Sequence, residues 1–140
     1  MLSFGSGSYA PPVEVDTVFA EGESFSLPEL EVQVEYLAPA TTSASVEIPS
    51  VAFSQFRVDY DLGLDAEVPF YANVISERVE QGGYTSVRIR AVGVDQVRWV
   101  NSRFAGAPVG GIATLTLAGY DSDDNVVLVD TLFDIAFADY

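Results

Sequence analysis

Strict two-residue alternation of polar and apolar side chains most narrows what this chain can fold into. Glu31-Val32-Gln33-Val34-Glu35-Tyr36 alternates throughout, and Arg57-Val58-Asp59-Tyr60-Asp61, Val87-Arg88-Ile89-Arg90 and Phe133-Asp134-Ile135-Ala136-Phe137 repeat the pattern. Successive side chains on a strand point to opposite faces, so such runs bury one face and wet the other. Val, Thr, Tyr and Phe dominate them, residues that pack well on a pleated surface. Turn signals interrupt the runs at short intervals: Pro11-Pro12, Gly22, Pro39, Pro49-Ser50, Leu62-Gly63, Gly82-Gly83, Gly106-Ala107-Pro108, Gly110-Gly111 and Asp121 to Asn125. This spacing predicts an all-β single domain, an antiparallel β-sandwich wound as a jelly roll of about eight strands.

Little in the chain reads as helix. No stretch long enough for a core helix shows a 3.6-residue period, and residues 73–80 read as one helical turn or a loop-borne strand. Trp99, in Gln96-Val97-Arg98-Trp99-Val100, reads as the core or interface residue of a strand. Residues 1–12, rich in Gly, Ser and Pro, read as an extended N-terminal arm, and residues 13–140 as the sandwich.

Charge then sets the surroundings. The chain carries 21 carboxylates against six arginines, with no lysine, histidine or cysteine, for a net charge of −15. Because 49% of residues are hydrophobic and 12% aromatic, this is a folded domain with an acidic skin rather than a disordered acidic tail. Dense carboxylates hold water and cations, and molar salt shortens the Debye length to about 3 Å, which screens their repulsion. The composition reads as adaptation to concentrated salt. It also argues against whole classes of partner. Phosphate binding needs a basic stripe, so no nucleic acid is expected, and an anionic membrane surface is disfavoured for the same reason. No apolar run suits direct membrane insertion, and the N-terminus has no basic region of the kind that opens an export signal.

All six arginines, Arg57, Arg78, Arg88, Arg90, Arg98 and Arg103, fall in the middle third of the chain beside seven carboxylates. If their strands pair, cross-strand bridges are the simple expectation. The sharper one is contact with acidic neighbouring subunits, which suits arginine's planar fork.

Catalysis is not expected. Serine nucleophiles have neither a histidine nor a lysine base, and the Gly-rich pairs lack the strand–loop–helix context and lysine of a phosphate loop. Asp59, Asp61, Asp65 and Glu67 cluster around Leu62-Gly63-Leu64 and read as a solvated loop, although paired carboxylates also serve glycoside hydrolysis. Asp121, Asp123 and Asn125 place oxygen ligands at alternate positions, as the start of a calcium loop does. Val126 stands where that loop needs glycine, and Leu132 where it needs the closing acid. The segment reads first as a hairpin turn between residues 114–120 and 126–131, with calcium the only cofactor in view.

The lysine-free acidic composition, the succession of short strands and the small-residue N-terminal arm without an export signal together resemble virion structural proteins of haloarchaeal viruses. The resemblance covers the whole chain by composition and pattern, with no family-specific motif. It implies a capsid, vertex (penton) or decoration and tail component, located in the virion after synthesis in the host cytoplasm. Its partners would be copies of itself and other virion proteins, and the arm would swap between subunits of a homo-oligomer. Under that reading the assembly contacts fall on Phe4, Tyr9, Pro11 and Pro12 of the arm, on Arg78 and Arg103 in loops, and on the C-terminal Phe137 and Tyr140. The rival reading is a carbohydrate- or calcium-binding β-sandwich of a haloarchaeal cell surface. Residues 117–127, Leu-Ala-Gly-Tyr-Asp-Ser-Asp-Asp-Asn-Val-Val, are similar to hairpins of secreted β-sandwich modules, with Asp124-Asn125 in place of their Asp-Gly.

Overall fold

The computed structural model describes residues 2–4, 13–16, 27–36, 49–63, 67–104 and 107–138. Among these residues, eight strands and one helix follow in the order β1 (Leu2–Phe4), β2 (Val13–Asp16), β3 (Glu29–Tyr36), β4 (Ser50–Asp61), β5 (Tyr71–Glu80), β6 (Tyr84–Arg90), α1 (Val94–Phe104), β7 (Val109–Asp121) and β8 (Val126–Ala138). They form a three-stranded sheet, β1-β3-β6, and a five-stranded sheet, β2-β8-β7-β4-β5.

The alternating runs are strands, and their buried residues share one core. Leu30, Val34, Val87 and Ile89 enter it from the small sheet. Phe53, Phe56, Val58, Leu115, Leu117 and Ile135 enter it from the large one. The chain is an all-β single-domain sandwich, as the alternation predicts. Its winding differs from the jelly roll expected. Jelly-roll strands mostly cross between sheets from one to the next. Here the β4–β5 and β7–β8 hairpins each stay within the large sheet. Nor is the sandwich wholly antiparallel, because β2 lies parallel to β8, pairing Val13 with Ile135 and Val15 with Phe137.

Two further expectations are corrected. Residues 73–80 belong to β5, a full strand paired with β4. Residues 94–104 form a helix that the 3.6-residue test passed over. Gly93 opens it, its carbonyl accepting from Val97 N at 3.2 Å. Asp95 in the first turn and Arg103 in the last complement the helix dipole. Val97 and Val100 are buried on one face, Trp99 is half-buried against the core, and the Arg103 guanidinium lies 4.5 Å above the Trp99 ring. Trp99 is therefore a helical residue that packs on the core.

Long-range hydrogen bonds hold the helix end in place. Buried Gln96 donates through Nε2 to Phe70 O at 2.9 Å and Pro69 O at 3.2 Å. Tyr60 on β4 donates to Ala91 O at 2.7 Å, just before the helix. Burial is the main cause that pushes the Tyr60 phenol far above its ordinary range, with the Tyr71 and Asp59 charges adding to it. Tyr60→Phe leaves the Ala91 carbonyl without its donor, and a loss of about 1–2 kcal/mol in urea-melt stability is expected. A raised phenol pKa means the folded state resists ionisation that the unfolded state accepts. Stability should therefore hold below about pH 10 and fall as the pH climbs above it, a fall that Tyr60→Phe should reduce. An identical alkaline profile in the variant would remove Tyr60 as its cause.

Candidate interaction face and acidic turns

One face of the large sheet packs on the core, and the opposite face carries most of the large apolar side chains that are exposed among the described residues. Register places Val126, Leu128, Asp130, Leu132 and Asp134 of β8 beside Tyr120, Ala118, Thr116, Thr114 and Ile112 of β7. On the far side of β7 lie Ala52, Gln55, Arg57, Asp59 and Asp61 of β4. Val126 and Leu128 are each 66% exposed and Leu132 65%. Val74 on β5 pairs with Gln55 and extends the same face, and Phe70 just before β5 is also exposed. Of the large apolar side chains exposed among the described residues, only Tyr84 lies in the small sheet. Single exposed apolar residues are ordinary, but a contiguous row of them marks an interaction surface.

On the β4 side of this face Arg57 joins Asp59 through Nε at 3.0 Å and Nη2 at 2.8 Å. Its guanidinium also lies 3.8 Å above the Phe70 ring. An open cleft of about 610 Å³ beside it is lined by Asp61, Glu67, Pro69 and Phe70 among others. Asp61 Oδ1 accepts from Gly63 N at 3.0 Å, so this carboxylate closes its own turn. Asp65 lies outside the described residues.

The Asp121–Asn125 segment is the hairpin turn between β7 and β8. Asp121 Oδ1 accepts from Asn125 N at 2.8 Å and Asp123 N at 2.9 Å, and Asp121 Oδ2 accepts from Asn125 Nδ2 at 3.2 Å. Asp124 takes φ 62°, a left-handed conformation that Asp tolerates. The candidate calcium ligands Asp121 and Asn125 thus bond to each other. Among the described residues no three carboxylates gather as a metal site.

The backbone N–H of Asn125 is the main cause that holds the Asp121 carboxyl below its ordinary range, helped by the Asn125 side chain and the Asp123 N–H. A depressed carboxylate stabilises the fold above the unfolded pKa of about 4, and that stability is lost as pH falls through the folded value. Asp121→Ala is expected to lower the melting temperature at neutral pH and to flatten the acid limb. In a side-chain NMR titration Asp121 should ionise below an unstructured aspartate. A midpoint at or above that value would mean the turn bonds do not form.

The other expected arginine bridges form in part. Arg88 on β6 reaches Glu31 at 3.1 Å and Glu29 at 3.8 Å across the β3 pairing. Arg57 instead bridges along its own strand. These exposed pairs contribute little individually.

The expected assembly residues are scattered. Arg78 lies on strand β5 and Arg103 on helix α1, neither in a loop. Arg78 donates through Nη2 to Ser50 Oγ at 2.8 Å. Phe137 is fully buried inside the chain, its ring edge-on to Tyr60 at 6.4 Å, so it serves the core and not a surface contact. Phe4 lies in β1, which pairs antiparallel with β3 of the same chain. Tyr9, Pro11, Pro12 and Tyr140 lie outside the described residues, as does the expected arm boundary near residue 12. The apolar outer face has no distinct signal in the sequence, because Val127 and Val129 make the opposite side of β8 equally apolar.

No protein-family model matches the chain, and no curated protein matches its sequence. No helix among the described residues is long and apolar enough to cross a membrane.

Proposed function

We propose that this protein is a non-enzymatic structural component of a haloarchaeal virus particle, a capsid, vertex or decoration subunit. It works by packing against copies of itself and other virion proteins. The observation that carries this reading is the group of exposed apolar side chains, Val126, Leu128, Leu132, Ile112 and Tyr120, on the outer face of the large sheet of an acidic chain. Such a face suits a stable protein contact, and the lysine-free composition suits a particle that meets concentrated salt. The test is the molar mass in molar KCl by analytical ultracentrifugation across a wide concentration range. A discrete oligomer is expected. A monomer throughout would end this reading and direct attention to glycan and calcium titrations, the assays of the rival surface module. The cleft beside Phe70 favours that rival, but Arg57 occupies a face of the ring that a sugar would need.

A further inference from the structure

We infer that the outer face of the large sheet is a self-complementary interface, taken by the same face of a second copy about a two-fold axis running along β7. The inference rests on the self-association proposed above and names its surface, partner and geometry.

Charge decides the axis. One row across the face reads Asp130, Thr116, Arg57, because Thr116 pairs with Asp130 on one side and Arg57 on the other. A two-fold along β7 lays Asp130 of each copy over Arg57 of its partner, and does so twice. It also brings Ile112, Thr114, Thr116, Ala118 and Tyr120 of β7 to their own images, and none of these is charged. Three other symmetric arrangements fail on the same row. An axis along β8, or one running across the strands at this row, sets Asp130 against Asp130. An axis along β4 sets Arg57 and Asp59 against their own images. Isologous contacts place each patch on itself, so an axis that runs along a strand favours one with an uncharged outward row, as β7 has.

Shape and size agree. Thr114, Thr116 and Ala118 are small where the faces meet, and the larger Ile112 and Tyr120 lie towards the ends. At about 3.4 Å per residue and about 4.8 Å per strand, the patch on β8, β7 and β4 covers about 400 Å² in projection. Side-chain relief adds to that, and the contact falls in the small-to-standard range against the ~800 Å² per partner of a typical stable interface. Face-to-face sheets pack at about 30°, so the copies are closest near Thr116 and diverge at the corners. At one corner Asp134 of each copy approaches Asp61 of the other, so association should strengthen as salt rises.

The chain has no cysteine, so one introduced thiol reports on its own position. In molar KCl a short bis-maleimide, whose reach spans the ~10 Å between packed sheets, should link Thr116→Cys into a dimer. Ser86→Cys, exposed on the small sheet, should remain unlinked. Leu128→Glu should weaken self-association about tenfold or more by ultracentrifugation, with near-UV dichroism unchanged because the position is exposed. If the wild type associates while Thr116→Cys does not cross-link and Leu128→Glu changes nothing, this interface is overturned and the assembly reading stands. If the wild type is monomeric at every concentration in molar KCl, both fall.

Discussion

Gly119→Ala is expected to unfold the protein or bring it close to unfolding, and Gly111→Ala to do nearly as much. Both glycines lie on β7 where it passes β4. A methyl group on Gly119 would run into the Ala52 carbonyl oxygen and come within 2.8 Å of Phe53 Cα. On Gly111 it would meet the Asp61 carbonyl oxygen and come within 2.8 Å of Leu62 Cα. The obstacles are backbone, so no rotamer change relieves them. The strands must separate, and the β4–β7 ladder is central to the large sheet. We expect a cost of about 3 kcal/mol or more, a large share of the 5–15 kcal/mol that holds a typical domain. Gly110→Ala on the same strand is the control, because its nearest neighbour is Ile135 O at 3.3 Å, and only a small shift is expected. Urea melts of the three variants check this. An unchanged midpoint for Gly119→Ala would mean that β4 and β7 do not approach in this register.

Transfer from molar KCl to dilute buffer is the second large effect, expected to abolish near-UV dichroism reversibly. The net charge of −15 is borne by a chain with six cations in all. The resolved ion pairs of Arg57 and Arg88 are exposed. At 0.01 M salt the Debye length is about 30 Å, so carboxylates across the whole domain repel one another, whereas at 1 M it is about 3 Å. The conformational entropy of unfolding is then joined by relief of charge. Return to molar KCl should restore the signal. Dichroism that stays constant through the dialysis would contradict adaptation to salt and remove the main support for the viral setting.

How far the fold could be read in advance depended on how local its cause is. Runs such as residues 31–36 and 87–90 became strands because alternation acts residue by residue. Helix α1 escaped because its buried face includes Gln96, a polar residue whose Nε2 donates to the carbonyls of Pro69 and Phe70. No apolar period can announce such a partner. Phe137 alternates with Phe133 and Ile135 and could have been placed in the core on that ground; its nearness to the C-terminus suggested the surface instead. The interaction face was harder. In the first half of β8 both faces are apolar, with Val127 and Val129 on the side opposite Val126 and Leu128. Alternation there could not say which side meets the core.

By itself, then, the order of residues determined that the chain is all-β, roughly where its turns fall and how acidic its surface is. These follow from side-chain direction along a strand and from summed charge, neither of which needs a distant partner. Tertiary structure alone decided the five-and-three division of strands, the parallel β2–β8 pair, the site of α1 and the wet side of the large sheet. Each of those depends on contacts between segments far apart in the chain, and such contacts form only when the sheets close over a common core.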